Sequence, residues 1–98
     1  MDHEVIWTEE ATADFDAVIT YLTENASSVS VQKFISTFFR KLNLLAGMPY
    51  MGVKSQRREG VRRLLITDRY SLVYVVIVDQ IYLLRVYDNR SDPVQQSF

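Results

Sequence analysis

The sequence predicts an α+β domain, in which an antiparallel hairpin of two helices packs on one face of a small, twisted and mainly antiparallel sheet. Apolar residues recur at helical spacing between residues 8 and 47. After Gly52 the pattern changes to three runs rich in β-branched and aromatic residues, and the breaks between them are too short for crossover helices. The predicted order is β-α-α-β-β-β, as a single domain over residues 1–98.

The first strand is predicted at residues 3–7 and leads directly into the first helix. Thr8 is a good N-cap, and the two acidic residues after it favour the positive end of a helix. We expect this helix to end near Asn25. Its apolar face comprises Ala11, Phe15, Val18, Ile19 and Leu22.

The second helix follows a short turn at residues 25–28. Ser28 or Ser30 can cap it, and Gly47 is expected to stop it because glycine and a following proline are typical of helix C-termini. Its apolar face comprises Val31, Phe34, Ile35, Phe38, Leu42 and Leu45.

The three strands of the predicted meander cover residues 61–67, 70–78 and 81–88, and residues 53–58 are expected to add a further edge strand. The middle strand is apolar on both faces, with Val73, Val75 and Ile77 on one of them. Since the helix hairpin covers only one face, the other is expected to form a groove for a ligand or to bind another chain. The alternative is a central strand covered by the C-terminal tail, which is predicted to be irregular from Asn89.

Composition limits the classes of function. The chain has 98 residues, is 48% hydrophobic and 23% charged, and contains no cysteine. These values fit a folded domain and exclude disulfides, thiolate nucleophiles and Cys-ligated zinc. We find no apolar run long enough for a membrane span and no basic, apolar leader, so we expect a mature, cytoplasmic protein.

The net charge of −1 conceals an asymmetry along the chain. Residues 1–25 hold seven acidic residues and no Lys or Arg, whereas residues 26–98 hold all eleven basic residues and the other five acidic ones. If the basic residues share a surface, it would attract nucleic acid or an acidic partner. The other interpretation is scattered, solvated charge.

The sequence lacks the residues that several kinds of catalysis and of metal or cofactor binding require. His3 is the only histidine, so Ser-His and Cys-His nucleophiles are missing, and its position near the chain start is typical of a solvated side chain. The acidic residues show no metal-ligand spacing, and the three glycines form no phosphate-binding loop. We therefore expect no metal and no cofactor.

Arginine and tyrosine are the residue types that remain as candidates for a functional surface. Lys54, Arg57, Arg58, Arg62 and Arg63 crowd the first part of the meander, and further arginines lie beside the later strands. Arginine binds phosphate bidentately, and tyrosine rings stack on bases, so this combination suits single-stranded nucleic acid or an acidic peptide. The structural alternative is that the tyrosines pack in the core and the arginines decorate its rim. The tyrosines concerned are Tyr50, Tyr70, Tyr74, Tyr82 and Tyr87.

The whole chain resembles the RelE/ParE toxins. The matching segments are W-T-E-E-A-T-A-D-F and I-T-Y-L in the first helix, F-I-S-T-F in the second, the M-P-Y-M-G turn at 48–52, G-V-R-R-L at 60–64, Y-S-L-V-Y-V-V at 70–76 and V-Y-D-N-R-S-D-P at 86–93. The resemblance implies the toxin of a type II toxin–antitoxin system, neutralised by an antitoxin from an adjacent gene that wraps an acidic, amphipathic segment around it.

The family contains two activities, and the resemblance leaves both open. RelE-like members cut mRNA on the ribosome without a metal, whereas ParE-like members poison DNA gyrase. For a ribonuclease, Arg62, Arg69 and Arg90 would act on the phosphate, and Tyr70 or Glu59 would transfer protons. The match is partial, because Leu64 and Ser71 stand where such members place basic residues.

We therefore favour gyrase inhibition over RNA cleavage, with a degenerate, antitoxin-binding member as a third interpretation. Whether the chain is an enzyme stays open at this point. The residues expected to contact the target or the antitoxin are Lys54, Arg57, Arg58, Arg63, Arg85 and Tyr87.

Overall fold

The computed structural model describes residues 2–91 and has two helices packed on a five-stranded mixed sheet. In chain order the elements are β1 (Glu4–Trp7), α1 (Glu9–Asn25), α2 (Ser28–Gly47), β2 (Val53–Lys54), β3 (Val61–Leu65), β4 (Tyr70–Ile77) and β5 (Gln80–Asp88). The strand order across the sheet is β1-β5-β4-β3-β2. Strands β2 to β5 pair antiparallel, as predicted, whereas β1 pairs parallel to β5.

The helix boundaries follow from their caps. The Thr8 hydroxyl oxygen accepts a hydrogen bond from the Ala11 amide at 3.2 Å, which confirms the predicted N-cap of α1. The cap of α2 is Ser27, whose hydroxyl oxygen accepts from the Ser30 amide at 3.1 Å, so the expected caps at Ser28 and Ser30 were wrong. The edge strand β2 is also shorter than the predicted 53–58, because the chain turns after residue 54.

An aromatic cluster fastens the helix hairpin to the sheet. The Trp7 ring stacks on Phe38 with 5.6 Å between centroids, and Phe15 meets Phe38 edge-on at 4.9 Å. Edge-to-face and offset pairs of this kind add to the free energy gained from burial alone. The fully buried neighbours on the sheet are Leu72, Tyr74, Ile81 and Leu83.

Strand β4 lies in the middle of the sheet. The sequence predicted that its face away from the helices would be uncovered, and the structure differs from that prediction. The second face is not bare at Val73, which is 3% exposed and packs with Val61 and Tyr87 in a separate small cluster. At the far end of the strand Ile77 is half exposed. The predicted cover by the C-terminal tail concerns residues 92–98, which lie outside the described part of the chain.

The turn after α2 is anchored by one buried hydroxyl group. The Tyr74 hydroxyl donates to the Pro49 carbonyl at 2.9 Å and accepts from the Gly52 amide at 2.9 Å. A Cβ atom on Gly52 would lie 2.5 Å from the Tyr74 Oη atom and 2.9 Å from the Arg63 carbonyl oxygen. This close approach requires glycine at position 52.

We expect Gly52→Ala to lower the free energy of unfolding by about 1–3 kcal/mol, because the added methyl group meets atoms that cannot move without breaking these hydrogen bonds. Gly47→Ala is the matched control, since the nearest atom to its Cβ is an Asp2 side-chain oxygen 3.6 Å away. Urea unfolding monitored by circular dichroism measures both. Equal stability of the two variants would contradict the proposed constraint.

Candidate functional site

A groove lies between α1 and the end of β5, and we call it the α1–β5 groove. Its volume is about 670 Å³. Three of the five residues predicted for RNA cleavage, Arg69, Tyr70 and Arg90, line it. The other lining residues are Asp14, Ala17, Val18, Tyr21, Val86, Tyr87, Asp88 and Ser91.

Asp88 holds the two arginines of the groove. Its carboxylate accepts from the Arg69 Nε atom at 2.8 Å and from the Arg90 amide at 2.9 Å, and the Arg90 Nε atom lies 3.6 Å away. Burial would raise the pKa of Asp88, but hydrogen bonds from the Arg90 amide and Arg69, with the charges of both arginines, together lower it. Asp88 therefore stays ionised at neutral pH, fixes the Arg69 guanidinium group and attracts the more exposed one of Arg90.

Arg69 lies against two tyrosine rings. Its guanidinium carbon is 4.7 Å from the centroid of Tyr21 and 5.2 Å from that of Tyr70. Hydrogen bonding to Tyr21 and then to Asp88 raises the pKa of Arg69 further, so the side chain is permanently charged. Burial raises the pKa of Tyr70, which keeps that phenol protonated.

Tyr21, like Asp88, is a site residue that the sequence did not reveal. It lies on α1 and is 42% exposed, and the hydrogen bond and charge of Arg69 lower the pKa of its phenol, with a smaller effect of Arg90. No motif connects a helical tyrosine near residue 20 with an arginine in a later turn. Only the packing of α1 against the end of β5 brings them together.

Arg62 and Glu59 lie away from this groove. Arg62 donates through Nη1 to the carbonyl oxygens of Tyr50 and Gly52, at 2.9 and 2.8 Å, and so holds the turn after α2. Its strand partner Tyr74 is four residues along β4 from Tyr70, so about 13 Å separates the two ends. Glu59 lies beside Arg62 in the β2–β3 hairpin. The five predicted catalytic residues therefore do not converge.

The face of the sheet opposite the helices carries Ser71, the residue found where ribonuclease members have a basic one. The Ser71 hydroxyl donates to the Asn89 Oδ1 atom at 2.6 Å, and Arg63 lines the same cavity. The alternation of side chains along a strand would allow Arg69, two residues before Ser71, to reach this face as well. It does not, because Arg69 precedes the strand and its side chain packs against Tyr21 of α1 instead.

Of the remaining predicted contact residues, three are exposed together in one hairpin, and the other two are ion-paired or buried. Lys54, Arg57 and Arg58 are exposed in the β2–β3 hairpin, where the Ser55 hydroxyl oxygen accepts from the amides of residues 57 and 58. Arg85 instead pairs with the Asp14 carboxylate, its Nε atom lying 2.7 Å from Oδ2. Tyr87 is only 6% exposed.

Two further classes of feature are missing from residues 2–91. They hold no group of three or more His, Cys, Asp or Glu side chains suited to a metal ion. Within the same residues, neither helix is long and apolar enough to cross a membrane.

The sequence was compared with families of known proteins. The family described as ParE toxin of type II toxin-antitoxin system, parDE, matches residues 5–93. The chain belongs to this family. The family match makes it a toxin of a type II toxin–antitoxin system and confirms the resemblance drawn from its motifs. A search of the curated proteins gave no match.

Solved structures show the same fold at low sequence identity. The chromosomal ParDE system from P. aeruginosa aligns with a TM-score of 0.74 and 22% identity, covering 88% of this chain and 95% of that one. The RelBE2 toxin–antitoxin complex from Mycobacterium tuberculosis gives a TM-score of 0.59 and 20% identity, covering 90% and 99%. A mutant of the E. coli toxin RelE in the free state gives 0.59 and 16%, covering 99% and 94%.

We expect Asp88→Asn to destabilise this ParE family toxin by about 1–2 kcal/mol at neutral pH, because the hydrogen bonds lost are to charged groups. The pKa of Asp88 in the folded protein is below its ordinary value of 3.8. Its ionised carboxylate therefore makes its full contribution to the free energy of unfolding at pH values above 3.8. The contribution is lost as pH falls from about 4 through the folded pKa, because the unfolded carboxyl group protonates first.

The difference in stability between the two proteins should therefore shrink as pH decreases below about 4. Urea unfolding at a series of pH values measures it, and Asp68→Asn, at an exposed position one residue before Arg69, is the control. A difference that stays constant down to the lowest pH would argue against the ionised Asp88 as the anchor of the arginines.

Proposed function

We propose that this toxin acts by binding DNA gyrase, as a ParE-like inhibitor, and does not cleave RNA. The observation that carries the proposal is the separation of the nuclease candidates. Arg62 is engaged by two backbone carbonyl groups at one end of β4, and Arg69 and Arg90 are held by Asp88 at the other. Charge stabilisation of one pentavalent phosphate needs donors that meet at the same point.

The position of Ser71 supports the same proposal. A metal-independent ribonuclease must place basic groups around the scissile phosphate. On the face of the sheet opposite the helices, the side chains at 71 and 89 are neutral and hydrogen-bonded to each other. Arg63 is the basic residue that lines this cavity among the described residues.

We further propose that the β2–β3 hairpin contacts the target. Lys54, Arg57 and Arg58 project there from an exposed loop whose backbone is ordered by Ser55. Exposed charges on a rigid turn suit the long-range attraction of a polyanionic complex such as gyrase bound to DNA. The toxin is also proposed to bind a protein antitoxin encoded by an adjacent gene.

The test is supercoiling by purified gyrase, run in parallel with mRNA cleavage in a translating extract. We expect inhibition of supercoiling and intact mRNA. The double variant Arg57→Glu, Arg58→Glu should lose about tenfold or more in inhibitory potency, since two exposed attractive charges become repulsive. Lys33→Glu with Arg40→Glu is the matched control, because it makes the same change of charge at exposed positions of α2.

Either of two results would overturn the proposal. Unaffected supercoiling at toxin concentrations that arrest growth would exclude gyrase as the target. Cleavage of mRNA that Arg90→Ala abolishes would establish the RelE-like alternative, which the convergence of Arg69, Tyr70 and Arg90 in one groove favours. A protein without either effect and without growth arrest would be the degenerate, antitoxin-binding form.

A further inference from the structure

The turn between β4 and β5 exposes two aliphatic side chains at one end of the sheet. Strand β4 ends at Ile77 and β5 begins at Gln80, and these two residues pair, so the loop between them consists of Val78 and Asp79. Val78 is 87% exposed and Ile77 is 50% exposed. We call Ile77 and Val78 the β4–β5 tip.

The backbone of the β4–β5 tip is strained as well as exposed. Val78 has a φ of 59°, in the left-handed region. Two-residue hairpin loops commonly need a positive φ, and Gly, Asn and Asp are the residues that usually adopt it. A single exposed aliphatic residue is ordinary on a protein surface, but a β-branched residue in this conformation is an outlier that no burial within the fold offsets. Backbone strain of this kind is concentrated at sites of binding and catalysis.

The loop is held in place before any partner arrives. The Asp79 carbonyl oxygen accepts from the Glu4 amide at 3.0 Å. Beside it, the Gln80 side chain donates to the Glu4 carboxylate at 2.9 Å and accepts from the Tyr82 hydroxyl at 2.8 Å. Since these bonds tie the loop to β1 and β5, little conformational entropy is lost when another surface buries the tip.

The β4–β5 tip lies at the same end of the sheet as the β2–β3 hairpin. Strand β3 begins at Val61, which pairs with Val75 near the end of β4. Val78 is three residues, or about 10 Å, beyond Val75. The exposed Arg57 and Arg58 shortly precede Val61 in the chain. An apolar tip and a basic one, from two neighbouring hairpins, therefore lie at one end of the molecule.

We propose that the β4–β5 tip inserts into an apolar pocket on the protein part of the toxin's target, and that a basic residue at the rim of this pocket pairs with Asp79. The inference rests on the proposed inhibition of DNA gyrase and adds a contact of different character from that of the β2–β3 hairpin. Nucleic acid is bound mainly through hydrogen bonds to phosphate and aromatic faces on bases, and the aliphatic tip offers neither. The exposed carboxylates of Glu4 and Asp79 beside it would also repel phosphates.

The test compares variants of the full-length toxin in supercoiling by purified gyrase and in growth arrest on induced expression. Val78→Asn removes the apolar side chain and relieves the strain, because asparagine adopts a positive φ more readily than valine does. Ile77→Thr is a second variant, which keeps a β-branched residue in the strand. Val29→Asn is the matched control, since Val29 is a valine of α2 that is 63% exposed. Thermal unfolding of each variant gives its stability.

We expect Val78→Asn to lose about tenfold or more in inhibitory potency, as for an aliphatic side chain buried at an interface, and to raise Tm by about 4–8 °C. A merely structural role of Val78 would lower stability and potency together, so a gain in Tm with a loss of potency separates the two. The loss should persist in high salt, whereas that of the Arg57→Glu, Arg58→Glu variant should decrease. Ile77→Thr should also weaken inhibition, and Val29→Asn should stay within about twofold of the unaltered toxin.

Folded tip variants that inhibit gyrase and arrest growth like the unaltered toxin would overturn the inference. An equal loss of affinity for duplex DNA alone would overturn it in favour of a nucleic-acid contact. A changed oligomeric state in sedimentation, with unchanged potency, would assign the tip to a second copy of the chain. If the unaltered toxin arrests growth but spares gyrase, the proposed target is refuted, and growth arrest by Val78→Asn compared with Val29→Asn still decides the inference. An unaltered toxin without either effect would overturn both.

Discussion

The architecture of the candidate site depends on a β-bulge in β5. Val73 pairs with Arg85 and Tyr74 pairs with Leu83, so Leu84 is an extra residue on one strand only. Side chains alternate between the faces of a strand, and the extra residue reverses that alternation beyond it. Leu83 and Asp88 therefore both lie on the helix side. Without the bulge Asp88 would face away from α1, and its arginine partners would have no anchor in the groove.

Helix α1 completes the sheet at this irregular point. The parallel pairing of β1 with β5 ends at Trp7 and Leu83, and the Thr8 hydroxyl then donates to the Leu83 carbonyl at 2.6 Å. Further along, the Asp14 carboxylate accepts from the Val86 amide at 3.0 Å and from Arg85 at 2.7 Å. These bonds satisfy an edge that would otherwise expose unpaired backbone groups. One helix thus protects the edge and forms a wall of the groove.

The molecule separates its charges into two surfaces with different character. In the α1–β5 groove Arg69 and Arg90 share the Asp88 carboxylate, Arg85 pairs with Asp14 beside it, and apolar atoms form most of the floor. In the β2–β3 hairpin Arg57 and Arg58 are exposed. Balanced charge beside apolar area suits selective binding of a folded or folding peptide, whereas exposed excess charge suits attraction at long range.

The sequence by itself determined the elements and their order, because local patterns specify them: helical periodicity, the cap at Thr8, and short breaks that enforce antiparallel pairing. It also determined the family and four residues that line the candidate site, Arg69, Tyr70, Tyr87 and Arg90. It did not determine which residues contact each other. The alternation of side chains along a strand would place Arg69 on the same face as Ser71. In the structure the turn before β4 directs the Arg69 side chain towards Tyr21. Such contacts join residues far apart in the chain and depend on the bulge and on helix packing, which only the tertiary structure decides.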